Sequence, residues 1–94
     1  MGWTGLVTEY RVVFMPQASD DLCCLDKQVA RRILYKLRWL SQNFGEIVPD
    51  RLAGGLKGFY KLRVGTYRVI YTVNDEERLL VVHLIGHRRD IYKR

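Results

Sequence analysis

Residues 58–71, GFYKLRVGTYRVIY, alternate strand-forming apolar residues with cations on either side of a Gly–Thr pair. The period of two requires extended chain, and a two-residue loop with glycine first makes a tight antiparallel hairpin. With Gly65 and Thr66 as the loop, Val64 faces Tyr67, Arg63 faces Arg68, Leu62 faces Val69 and Lys61 faces Ile70. One face then carries Tyr60, Leu62, Val64, Tyr67, Val69 and Tyr71 and belongs against a core. Lys61, Arg63 and Arg68 share the other face; a three-residue loop would instead turn Arg68 inward. Like charges directly opposite one another weaken a sheet, where opposite charges contribute some tenths of a kcal/mol. Folding alone does not account for such a pairing.

The rest of the chain supplies a core for this hairpin. Ninety-four residues, 48% of them hydrophobic, suit a single domain. A chain of this size buries roughly 65% of its unfolded surface and can fold without metal or disulfide staples. Residues 1–8 read as a loosely held lead-in, and 9–94 as the domain. EYRVVFM, from Glu9, is a strand candidate ended by Pro16, a residue suited to the start of a helix. Ser19, Asp20 and Asp21 offer capping and acidic first-turn groups. Asp26 offers a second cap before KQVARRILYKLRWLSQNF, so two helices or one broken helix follow. In the longer helix Val29, Ile33, Leu37 and Leu40 recur at helical spacing, while Arg31, Arg32, Lys36 and Arg38 lie mostly off that stripe. The basic side is either a solvated surface or a docking surface for an acidic or hydrophobic segment.

Gly45 ends the helical pattern, and Pro49 through Gly58 reads as a loop. Its GGLKG lacks the spacing of a phosphate-binding P-loop. Strand candidates at 59–64, 67–73 and 79–86 form a meander, and the doubly apolar LLVVHLI is expected inside the sheet, covered on each side. The fold expected is α+β: an antiparallel-rich twisted sheet, made of the N-terminal strand and the C-terminal meander, packed against two N-terminal helices.

A formal charge of +6 suits a polyanionic or acidic protein partner. Residues 57–94 hold nine cations and four acids, three of them the consecutive Asp75, Glu76 and Glu77 of a solvated turn. Cys23 and Cys24 are adjacent, unsuited to an ordinary disulfide, and no metal-ligand spacing of Cys and His appears, which fits a reducing, cytoplasmic setting. No stretch is long and apolar enough to span a bilayer. A turn centred near Glu76 puts position 84 opposite Arg68, and the segment after Gly86 then brings Arg88 to the end where Arg63 and Arg68 lie. Lys61, Arg63, Arg68 and Arg88 would converge there as a ready site for phosphate oxygens, which arginine grips with two parallel hydrogen bonds. His83 reads as a hydrogen-bonded strand histidine. His87, beside Arg88, is a candidate for proton transfer, since an imidazole titrates near neutrality. In extended chain the two histidines are roughly 13 Å apart, too far to share a metal ion.

LKGFYKLRVGTYRVIY, the acidic turn and VVHLIGHRRDIYKR together resemble the RelE toxins of the RelE/ParE toxin–antitoxin superfamily, the likeness running from Glu9 to the C-terminus. The resemblance implies an mRNA interferase that acts in the ribosomal A site without metal or cofactor. The ribose 2′-hydroxyl attacks the adjacent phosphate, leaving a cyclic phosphate and a free 5′-hydroxyl. Such a step needs in-line geometry, stabilised negative charge, and a proton taken and given. Carried over, Lys61 and Arg63 match the basic strand pair, and Arg68 and Arg88 the arginines that clamp phosphate. Lys61 is the better base, because a lysine among cations can be deprotonated whereas arginine stays protonated. Arg63 stands where the best-known pattern has a second lysine. Tyr92 is a candidate to stack on a base or orient the nucleophile, and Lys57, Arg89 and Lys93 to hold RNA. A cognate RelB-like or other type II antitoxin is the expected protein partner, with mRNA and the ribosome as the target. Two alternatives stand beside this: the ParE branch of the same fold, which inhibits DNA gyrase by binding, and a non-catalytic module that binds nucleic acid by counterion release.

Overall fold

The computed structural model describes residues 10–44, 50–51 and 58–87. The chain runs β1 (Arg11–Phe14), α1 (Pro16–Cys23), α2 (Lys27–Asn43), β2 (Asp50–Arg51), β3 (Tyr60–Val64), β4 (Tyr67–Asn74) and β5 (Leu79–His87). The strands form one sheet in the order β1-β5-β4-β3-β2, with β1 parallel to β5 and the other pairings antiparallel. This is the α+β arrangement expected: an N-terminal strand and a C-terminal meander under two helices. The lead-in, residues 1–8, lies outside the described residues.

Pro16 opens α1 directly after β1, where its missing N–H costs nothing. Ser19, Asp20 and Asp21, expected as caps, therefore sit inside α1. Asp21 is buried, its carboxylate accepting from the Ile85 N–H at 3.0 Å and from Gln17 Nε2 at 2.9 Å. Asp26 does cap α2, accepting from the Gln28 N–H at 3.3 Å. That bond is long and exposed, so Asp26→Ala is expected to cost only about 0.5–1 kcal/mol, read as a lowered urea midpoint.

The helix stripe meets the apolar face of the hairpin. Ile33, Leu37 and Leu40 of α2 and Ala18 of α1 are buried against Val69, Tyr71, Leu80, Val82 and Ile85, with Val29, Tyr60, Leu62, Val64 and Tyr67 packed around them. Tyr10, Phe44, Tyr71 and Tyr60 continue the packing, their successive ring centroids 4.9, 6.5 and 5.7 Å apart. Tyr10 also ties the start of β1 to the acidic turn by donating to Asp75 Oδ1 at 2.9 Å. Deprotonation there would set phenolate against carboxylate, and the hydrogen bond holds the Tyr10 pKa above its usual value. The hairpin closes as expected, Val64 pairing Tyr67 and Arg63 pairing Arg68. Gly65 has φ +61° and Thr66 a negative φ, the conformation of a type II′ turn, in which glycine is needed first.

Three expectations are corrected. Gly86, not residue 84, stands opposite Arg68. The turn spans Asp75–Arg78 rather than centring on Glu76, which moves the partner by one residue. An irregularity between the Ile70↔Leu84 and Tyr71↔Val82 pairs leaves His83 extra in β5 and moves it by a second. LLVVHLI is central in the sheet, but among the described elements both helices pack on one side. On the other side Val81, His83 and Leu84 are half-buried. The supposed loop 49–58 contains β2, whose register sets Asp50 opposite Lys61 and Arg51 opposite Tyr60.

A basic face beside the first hairpin

Alternation in β3 and β4 places Lys61, Arg63 and Arg68 on the sheet face away from the helices. Lys61 and Arg63 are two residues apart on one strand, about 7 Å along it. Arg63 and Arg68 are direct cross-strand partners, with Cα atoms about 4.5–5.5 Å apart in such pairs. The acidic turn lies at the far end of β4, about 20 Å from Arg68 at strand spacing. Arg63 is exposed and Lys61 and Arg68 half-buried. Arg68 Nε is shielded from solvent and has no hydrogen-bond partner among the described residues. Glycine at position 86, opposite Arg68, adds no side chain to cover it. An exposed guanidinium facing a half-buried one, with lysine alongside, is suited to grip a phosphodiester and to balance charge accumulating on its oxygens.

Next to these cations the face becomes less charged. Ile70 is buried, Leu84 half-buried, and His83 lies between Thr72 and Phe59. Its Nε2 is 2.9 Å from Thr72 Oγ1, and its ring centroid is 5.2 Å from that of Phe59. This is the hydrogen-bonded strand histidine expected. Burial lowers its pKa from the ordinary 6.5. Stability is therefore unaffected by this group above about pH 6.5 and declines as the pH falls from there through the lower folded-state value. The decline is expected to be small because His83 keeps solvent contact. In an NMR titration its ring protons should turn over at lower pH than in the unfolded chain, and an equal midpoint would contradict the burial argument.

His87 belongs to the other side. It pairs with Tyr67, the rings edge to face at 5.7 Å, and lines a cleft of about 230 Å³ with Asp21, Cys24, Leu25 and Tyr67. The sheet thus brings Lys61, Arg63 and Arg68 together and sets His87 at the same end but on the helix side. Lys57, Arg88, Arg89, Tyr92 and Lys93 lie outside the described residues. Asp50 is not legible as a candidate in the sequence. A two-residue strand has no periodicity to betray it, and only its pairing with β3 brings a carboxylate-bearing position into register with Lys61. Cys23 and Cys24 are free and exposed. Among the described residues no group of three or more His, Cys, Asp or Glu could hold a metal ion, and no helix is long and apolar enough to cross a membrane.

A two-helix layer on this sheet, with cations gathered on the face of its first hairpin turned away from the helices, defines a RelE-like toxin domain, and comparison with known proteins agrees. The family model described as ParE toxin of type II toxin–antitoxin system matches residues 12–92, and the chain belongs to that family, within the RelE/ParE superfamily. It is 38% identical to Toxin RelG of Mycobacterium tuberculosis, over 90% of this chain and 98% of that one. Its fold is similar to a chain of the toxin–antitoxin complex RelBE2 from the same organism, with TM-score 0.76 and 30% identity, covering 88% of this chain and 95% of that one. It is also similar to the isolated Escherichia coli RelE toxin, with TM-score 0.71 and 25% identity over 89% and 92% of the two chains.

Proposed function

We propose that this toxin is a ribosome-dependent endoribonuclease that cuts message in the A site by 2′-hydroxyl attack on the adjacent phosphate. The observation that carries the reading is the Arg63–Arg68 cross-strand pair with Lys61 beside it. This arrangement weakens a sheet and becomes favourable once a phosphodiester lies between the cations. Arg68 holds the scissile phosphate together with Arg88, Arg63 adds positive charge, and Lys61 takes the proton from the nucleophile. Lys57, Arg89 and Lys93 steady the RNA, and Tyr92 stacks on a base. His87, on the helix side of β5, ranks after Lys61 for proton transfer because it would have to reach the phosphate around the end of the strand. The reaction uses no metal or cofactor, since cationic side chains stabilise the added charge. The likeness to the RelBE2 toxin supports a cognate antitoxin as partner, one that masks the basic face until it is removed. The site of action is the cytoplasm, where ribosomes translate.

The ParE description of the matching family favours one second reading, inhibition of DNA gyrase by binding. A single experiment separates them: the chain is added to a translation extract and message ends are mapped, with a supercoiling assay in parallel. Cuts that require translation support the interferase. Inhibited supercoiling with intact message supports gyrase binding, and neither effect leaves a module that only binds.

A further inference from the structure

The outer surface of α2 faces away from both the core and the basic sheet face, and nothing in the proposed chemistry uses it. Its sequence, KQVARRILYKLRWLSQN, has five cations and no acid. A helix surface that serves only solubility ordinarily mixes signs, because Glu–Lys pairs one turn apart stabilise it by a few tenths of a kcal/mol. Here the one-turn neighbours Arg32 and Lys36 repel instead. The same surface exposes Tyr35 to 76% and Trp39 to 43%. Arg31, Tyr35 and Trp39 follow one another at one-turn spacing, and Tyr35, Arg38 and Gln42 form a second such row. Tyr35, Arg38, Trp39 and Gln42 line a shallow cleft of about 210 Å³, and Lys36 Nζ lies 5.3 Å from the centre of the indole. Like charges one turn apart and exposed aromatic rings both work against the isolated fold.

We infer that this face is a second RNA-binding surface, one that takes a folded RNA with at least one unpaired base. Arg31, Arg38 and their neighbours contact the phosphates, and an unpaired base stacks on Tyr35 and Trp39, with Arg38 and Gln42 within reach of its edge. Aromatic platforms flanked by cations suit such a ligand because every base offers a flat π-face. An acidic peptide helix fits less well: it would need a groove of aliphatic side chains, whereas Leu34 is the one exposed aliphatic residue of α2. The two basic surfaces are separated by the helix layer and the sheet, so a single phosphate cannot engage both, and the chain can hold two RNA elements at once.

The test uses the full chain and a fluorescent RNA stem–loop, 2′-O-methylated throughout so that 2′-hydroxyl chemistry cannot cut it. Its result is therefore independent of whether the chain is a nuclease. A loop-free duplex of equal length serves as the comparison. Tyr35→Ala with Trp39→Ala is expected to weaken stem–loop binding about tenfold or more and to leave duplex binding unchanged. Arg31→Gln with Arg38→Gln should weaken both ligands and lower the salt slope by about two. These positions are exposed, so thermal midpoints should match that of the parent. Unchanged affinities in both variants would overturn the inference. So would an acidic amphipathic peptide that binds the parent more tightly than the stem–loop and loses affinity in the same variants.

Discussion

Arg68→Ala is expected to lower translation-dependent message cleavage by at least about a hundredfold, the scale seen when one donor to a developing oxyanion is removed. The thermal midpoint should stay where it is or rise by a few degrees at most. The opposite signs follow from one geometry. Arg68 stands across the sheet from Arg63, a like-charge pair whose removal relieves strain of a few tenths to about 1 kcal/mol. Its Nε, shielded from solvent and without a hydrogen-bond partner among the described residues, is a further cost that alanine deletes. Packing of the aliphatic stem is lost in exchange, which keeps the net change small. Arg68→Lys separates charge from shape: it restores the cation without the planar fork and is expected to recover only part of the rate. Full cleavage by Arg68→Ala would remove this residue from the chemistry. Lost cleavage with a sharply lower midpoint would make its role structural.

The hairpin that carries this argument is legible in the sequence because three local signals agree there: alternation, a Gly–Thr loop and β-branched or aromatic residues. The face bearing Lys61, Arg63 and Arg68 follows from counting alone. The same holds for Ile33, Leu37 and Leu40, whose spacing matches the helix and whose burial is complete or nearly so. Counting fails one strand further on. The extra residue at His83 has no sequence mark, being one histidine in an apolar run, and it switches the inward positions of β5 from Leu80 and Val82 to Ile85 and His87. His87, which the sequence sets beside Arg88, thereby joins Tyr67 on the helix side. Asp21 shows another limit. Its neighbours Ser19 and Asp20 make it look like part of a cap, and only the tertiary fold reveals its partner, 64 residues away.

That partner makes Asp21 the position where a single polar change should destabilise the fold most. Asp21 is 7% exposed, and its carboxylate accepts the Ile85 N–H just beyond the point where β5 becomes irregular. The Ile70↔Leu84 pairing next to that irregularity sets which residue meets Arg68, so the bond from α1 pins the register of the strand end that continues to His87. Alanine would strand the Ile85 N–H in the interior and remove a charged acceptor, a loss of about 2–3 kcal/mol. Asparagine keeps an oxygen for that N–H, and Gln17 can reverse its amide to meet the new donor, so Asp21→Asn should retain most of the stability. Urea denaturation of the two variants measures the difference, and amide exchange locates it: the Ile85 N–H should lose protection in Asp21→Ala ahead of Val69 and Tyr71 in β4. Equal midpoints for Ala and Asn would show that the hydrogen bond contributes nothing. Uniform loss of protection across the sheet would show that Asp21 supports the whole fold rather than the end of β5.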